Sequence, residues 1–396
     1  MEYKRVYYQT LKDRVKQKRK FIQVLTGPRQ VGKTTIVRQL CDRIDIPFLY
    51  VTADNVMNSS GVWIEQQWET ARIKLKTSSE HEFLLIIDEI QKINNWSEII
   101  KQLWDTDTFE KRRLKVVLLG SSGLMLQQGL NESLAGRFEI IEIPHWSFRE
   151  MKDCFGISEE QYAWFGGYPG TVSFINDEER WKDYVRNALI ESTISKDILM
   201  LTRISKPALM RQVFEMGVHY SAQILSFNKM LGQLQDAGNT TTIAHYLRIL
   251  DTAGLITGIT KYYTEKYREK TSSPKWQVRN TALISALSEQ NFEEVQADYI
   301  HWGRIIESAI GAHLVNKSKE GGYKVYYWRH RNEEVDYVLK KADKIIGIEV
   351  KSGNAGQTKG MSIFKSKYNP YKVFLVGTSG ITWQEFLSLA PQTLFE

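Results

Sequence analysis

The stretch FIQVLTGPRQVGKTT, residues 21–35, passes from a short apolar run into a glycine-bearing turn and on into the start of a helix. It carries the full spacing Gly27-x-x-x-x-Gly32-Lys33-Thr34. Glycines let the backbone curl tightly enough for its N–H groups to surround a phosphate. The helix that opens at the lysine points its positive end at the same anion. On this pattern Gly27, Pro28, Arg29, Gln30, Val31, Gly32, Lys33, Thr34 and Thr35 form a cradle for ATP. Lys33 reaches the β- and γ-phosphates, and Thr34 is a ligand for Mg²⁺.

The neighbouring runs support this. Phe83-Leu-Leu-Ile-Ile-Asp88-Glu89 is a buried-strand pattern ending in two acids. At a strand's carboxyl end Asp88 is placed to hold Mg²⁺ through water, and Glu89 to orient and deprotonate an attacking water. Lys115-Val-Val-Leu-Leu-Gly120 is a further buried strand, followed by Ser121, which either senses the γ-phosphate or caps a turn. Runs at 48–53 and 139–143 complete an expected five-stranded parallel sheet with interleaved helices. Such sheets bind ligands at the carboxyl ends of their strands, where these residues fall. Arg137, in SLAGRF, reads as an arginine finger acting within one subunit or from a neighbour in a homo-oligomer; a structural arginine reads equally well.

At 396 residues the chain is long for one domain, and its 42% apolar and 25% charged content is that of a globular protein with a sizeable core. No secretory signal follows MEYKRVYYQT, apolar runs such as FLLII are too short to span a bilayer, and Cys41 and Cys154 form no metal or redox motif. The expectation is a cytoplasmic protein without membrane contact. Residues 1–40 hold 11 basic and 2 acidic side chains, and the net +7 arises wholly in residues 201–396. Such surfaces favour phosphate-rich partners, or are simply solvated.

From about 157 to 206 the pattern is helical, interrupted by GGYPG at 166–170. Residues 221–263 read as helix, turn, helix and strand, the second helix starting near Thr240–Thr242 and burying Ile243, Tyr246, Leu247 and Leu250. With the strand near 275 this is the order of a winged helix, whose wing, 261–275, holds five basic and two acidic residues. DNA contact and protein packing are even alternatives for it. Further on, EVDYVLKKADKIIGIEVKSG, residues 334–353, alternates apolar and charged positions about a turn at Ala342-Asp343. That hairpin sets Asp336 opposite Glu349 and Glu334 opposite Lys351. Like charges across a ladder repel. A shared Mg²⁺ at Asp336 and Glu349, with Lys351 placing water and Glu307 on an upstream helix, resolves the repulsion as a phosphodiester-cleaving constellation. A solvated face with a Glu334–Lys351 ion pair is the plainer alternative.

GPRQVGKTT, IIDEIQKINNW, LLGSSG, SLAGR, IPHWSFRE, GGYP, TIAHYLRILDTAGLI, SPKWQVRN, RIIESAIGAHL, YWRHRNEEVDYVL and IEVKSG, taken in order, resemble a prokaryotic family of AAA-type P-loop ATPases with a C-terminal domain of unknown function. The resemblance implies an α/β fold: an AAA-type core (1–150), a helical lid (151–205), a winged helix (206–280) and a restriction-endonuclease-like domain of the PD-(D/E)xK type (281–396). On that last pattern Glu307, Asp336, Glu349 and Lys351 match the helix acid, the strand acid and the E-x-K, although EEVD lacks the proline-aspartate step. The implied function is a Mg²⁺-dependent ATPase whose nucleotide state controls a nucleic-acid-binding module, on DNA rather than RNA, with cleavage left open. The alternative is an ATP-driven switch with a catalytically silent, protein-binding terminal domain.

Overall fold

The computed structural model describes residues 3–54, 56, 60–78, 81–120, 133–199, 204–234, 238–264, 272–351 and 359–396. The chain divides into two compact units, one from Met1–Pro144 and one from His145–Leu199 with Arg203–Glu396. In the first, β1 (Ile22–Thr26), β2 (Phe48–Thr52), β3 (Phe83–Asp88), β4 (Leu114–Leu119) and β5 (Phe138–Glu142) pair in the order β2-β3-β4-β1-β5, every pair parallel. Parallel strands need crossovers, and helices supply them on both faces. Val24, Leu85, Ile87, Val116 and Leu118 pack on one face against α3 (Val62–Thr77) and α4 (Trp96–Phe109). Leu25, Ile86, Val117, Leu119 and Ile141 pack on the other against α1 (Val6–Lys16) and α2 (Lys33–Cys41). Burial on both faces is why β3 is a continuous apolar run up to Asp88 and why β1 and β4 are mostly apolar.

In the second unit β6 (Gln223–Ile224), β7 (Ile256–Lys261), β8 (Lys275–Val278), β9 (Lys324–His330), β10 (Glu333–Lys341), β11 (Lys344–Val350) and β12 (Lys372–Val376) form one sheet, ordered β12-β11-β10-β9-β7-β8-β6. The helices at 159–165 and 178–184, and the π-helical turns 185–199 after them, pack here: Gly167 N–H donates to Asn280, Ser285 Oγ to the Trp164 carbonyl and Lys182 Nζ to the Gln290 carbonyl. The segment expected as a lid on the nucleotide sheet is therefore integral to the second unit. The helix Thr240–Thr252 buries the predicted face, but Asn239, one residue before the expected start, is the cap that accepts from Thr242 N–H. Among the described residues no helix is long and apolar enough to cross a membrane.

The helix Tyr299–Gly321 runs against this sheet, capped by Asp298. Gly311 allows the approach: a Cβ there would sit 2.0 Å from Gln277 Oε1 and 2.4 Å from the Tyr337 hydroxyl. On the same helix buried His313 has Nε2 3.0 Å from the Leu389 carbonyl. That bond requires an Nε2–H, and burial together with Lys317 pushes the ring's pKa down to about 4. A folded-state value below the ordinary 6.5 means that the stability is fully present above pH 6.5 and is lost as pH falls toward 4. The loss should approach 3 kcal/mol (order of magnitude) for this group alone. Urea unfolding of the second unit should weaken across that window, and His313→Gln should flatten the slope. An unchanged slope would refute the assignment.

Candidate nucleotide site and a buried ion cluster

The loop between β1 and α2 has the backbone that its glycines allow. Gly27 has φ +151°, and a Cβ on it would lie 2.1 Å from the Ile143 carbonyl oxygen. Gly32 enters α2 at φ +91°. Pro28, Arg29, Gln30 and Val31 form the loop between them, and Thr35 is exposed one turn into the helix. Lys33 is buried, its Nζ donating to the carbonyls of Gly27 and Pro28 at 2.7 Å each. Arg5, also buried, ties the loop down by donating to the Val31 carbonyl at 2.8 Å and the Pro144 carbonyl at 3.1 Å. Part of the basic charge of residues 1–40 is thus spent inward.

Asp88, at the end of β3, meets this loop from the sheet. Its Oδ2 accepts from the Thr34 hydroxyl at 3.3 Å and the Tyr50 hydroxyl at 2.5 Å, and its Oδ1 accepts from Glu89 N–H at 2.9 Å. Burial and the bond to Asp88 push the Tyr50 phenol well above its usual pKa, so it stays a donor. Glu89 turns the chain at φ +53°, a left-handed conformation uncommon outside glycine, and its carboxylate accepts from the Gln91 amide. Hydroxyl and carboxylate oxygens side by side form a hard donor set, and they fit Mg²⁺. The lysine, the glycine loop and the amino end of α2 fit a polyphosphate. Ser121 lies outside the described residues.

Of the residues expected from the motifs, Thr34 and Glu89 N–H both meet Asp88 and Lys33 donates within its own loop, while Tyr50 and Arg5 were not expected there. Tyr50 sits in an ordinary strand run, and nothing in its neighbours marks it. Arg137 is held bidentately by Asp105 of α4, Nε at 2.7 Å and the second nitrogen at 3.0 Å, and it donates to the Ala135 carbonyl. Its observed contacts are those of the structural arginine, and none is to the loop or to Asp88.

The second set of candidates lies at the β10–β11 hairpin, whose register is the expected one, Tyr337 against Ile348 down to Lys341 against Lys344. A bulge interrupts β10 against β9 between Val335 and Val338, and Asp336 lies in it. The charges find other partners than the sequence suggested. Lys275 of β8, fully buried, puts its Nζ 2.7 Å from Glu307 Oε1, 3.4 Å from Glu334 Oε1, 3.3 Å from the Asp336 carbonyl and 3.6 Å from Asp336 Oδ1. Asp336 Oδ2 accepts from Val350 N–H at 2.8 Å. Lys351 Nζ is 3.3 Å from Glu349, so Glu334 pairs with Lys275 and not with Lys351. Burial opposes the charge on Lys275, but Glu307, Asp336 and Glu334 outweigh it and hold its pKa well above the usual. The same burial, reinforced by Asp336, raises Glu307 although Lys275 offsets part of it. Lys275, counted by sequence with the basic wing, is thus a core residue; Lys266, Arg268 and Lys270 lie outside the described residues. Among the described residues no three His, Cys, Asp or Glu side chains converge in a group that could hold a metal ion.

A parallel sheet that gathers a glycine loop, lysine, threonine and aspartate at one edge makes this an α/β protein whose sheet resembles those of P-loop ATPases. A family model described as an AAA domain matches residues 19–152, and two described as domains of unknown function (DUF8612 and DUF4143) match 158–294 and 302–386. Among curated relatives, the chain is 26% identical to the uncharacterized protein Rv2008c of Mycobacterium tuberculosis, over 83% of this chain and 69% of that one. An uncharacterized protein of Haemophilus influenzae is 23% identical, over 90% and 89%. Among solved structures, the Walker-type ATPase PABY2304 of Pyrococcus abyssi is similar at a TM-score of 0.48 and 12% identity, covering 72% of this chain and 96% of that one.

Because Tyr50 orients the carboxylate behind Thr34, Tyr50→Phe should raise the Mg²⁺ needed for nucleotide-dependent activity by about tenfold, the usual effect of losing a supporting contact on a metal site. Titrating Mg²⁺ against ATP turnover checks this, and an unshifted midpoint would remove Tyr50 from the site.

Proposed function

We propose that this protein binds ATP with Mg²⁺ and hydrolyses it. The observation that carries the reading is the meeting of Thr34 and Tyr50 on one carboxylate oxygen of Asp88, beside the Lys33 loop. Lys33 supplies an ammonium for the β- and γ-phosphates, and the N–H groups of residues 29–34 surround them. Mg²⁺, when bound, offsets the charge of the phosphates, and Thr34 and Asp88 are the residues that would hold it. Glu89, one residue beyond Asp88, orients a water and takes its proton. Arg137 enters this scheme from a neighbouring subunit or not at all. Lys33→Ala should abolish ATP binding. Glu89→Gln should keep binding and lose about a hundredfold or more in turnover, as for removal of a general base. Full turnover in Glu89→Gln would overturn its role.

The nucleotide state is proposed to control the second unit, on the domain plan 1–150, 151–205, 206–280 and 281–396, in the cytoplasm. There the order helix 207–219, β6, helix 227–231, helix 240–252, β7, β8 supports a winged-helix reading, with His245 and Arg248 exposed on the third helix. The reading takes DNA rather than RNA as partner. Lys266, Arg268 and Lys270 changed to Glu should weaken duplex binding and flatten its salt dependence. Unchanged affinity would favour the second reading, a protein-binding scaffold without nuclease action. That reading has its own support in the lysine that already occupies the acids of Glu307, Glu334 and Asp336.

A further inference from the structure

The acids at the hairpin invite comparison with a metal centre, and the geometry allows the comparison to be decided by counting donors. A lysine ammonium has three N–H groups and no more. At Lys275 three acceptors lie within hydrogen-bond distance of Nζ: Glu307 Oε1, Glu334 Oε1 and the Asp336 carbonyl. The Tyr337 ring closes a further side, its centroid 4.8 Å from Nζ. Every hydrogen of this cation is used. Of the Asp336 carboxylate, Oδ2 accepts from the Val350 amide and Oδ1 stands 3.6 Å from Lys275 Nζ, and Glu349 has Lys351.

A divalent cation at these acids would meet an ammonium already among them. Mg²⁺ takes six oxygens at about 2 Å and keeps several waters. The side chain that stands among these oxygens is fully buried and cannot simply swing into solvent. Breaking one partner of a buried ion pair is strongly destabilising, because the other charge is left uncompensated. The residues present therefore do not fit the metal that a PD-(D/E)xK constellation implies.

We infer that Lys275 supplies, from within the chain, the positive charge that a divalent cation supplies in a nuclease of this arrangement, and that Glu307, Glu334 and Asp336 form a metal-free ionic lock. The inference rests on reading Glu307, Asp336, Glu349 and Lys351 as a nuclease-like constellation. The lock joins three segments distant in sequence: β8, the helix Tyr299–Gly321 and β10. It relieves the Asp336 side of the repulsion expected across the hairpin by a charge from another strand, while Lys351 meets Glu349. It also explains why a lysine beside the wing is fully buried instead of lying on a DNA-facing surface.

The test is Mn²⁺ binding to the full-length, nucleotide-free chain, measured calorimetrically beside Asp336→Asn and Lys275→Met. The wild type should show no Mn²⁺ binding that depends on Asp336. Lys275→Met should gain it, tightening by about tenfold or more, with a rise in melting temperature on adding Mn²⁺ that Asp336→Asn in the same chain removes. If Lys275→Met does not fold, the comparison of wild type with Asp336→Asn decides alone. Mn²⁺ bound by the wild type and lost in Asp336→Asn overturns the inference and leaves the nuclease-like reading standing. A folded Lys275→Met chain with no response to Mn²⁺ overturns both.

Discussion

A carboxylate at the end of a buried strand must be held by donors, and the site in the first unit depends on how Asp88 is held. Its three bonds come from three elements: Thr34 in α2, Tyr50 in β2 and the Glu89 amide beyond β3. The parallel order β2-β3-β4-β1-β5 makes this possible, because parallel strands present their carboxyl ends along one edge. Strand β4 separates β1 from β3, so the loop after β1 and the acid after β3 stand one strand apart. Gly27, which has no room for a Cβ against Ile143, and buried Arg5 keep the loop at that edge.

The second unit meets the same requirement by a different route. Its hairpin places acids where like charges repel, and compensation comes from a lysine on a strand two places away in the sheet from β9. Charge compensation at Asp88 is left to hydroxyls and an amide, which are neutral donors. Charge compensation at Asp336 is completed by an ammonium. That difference in donor chemistry, not the number of acids, separates the proposed Mg²⁺ site at Asp88 from the inferred lock around Lys275.

Much of the first unit was legible because a strand buried on both faces is written as an apolar run, and its end as the first break in that run. The hairpin register was legible for a similar reason: alternation about Ala342-Asp343 leaves one pairing that keeps Val335, Tyr337, Leu339, Ile346 and Ile348 inside. What sequence pattern does not carry is which charged side chain meets which. Lys275 lies 32 residues from Glu307 and 61 from Asp336, and only the fold brings them together. Arg137 read equally as an arginine finger or a structural arginine, and the partner it has, Asp105, sits on a helix that the motif does not mention. The cap at Asn239 in place of Thr240 was a one-residue choice between two good capping types.

Nucleotide binding at the edge formed by the Lys33 loop and Asp88 can be read by amide hydrogen exchange on the full-length chain with and without ATP and Mg²⁺. Exchange should slow in peptides covering residues 27–34 and 88–91. Unchanged exchange in both peptides at saturating nucleotide, or protection confined to other parts of the chain, would contradict it.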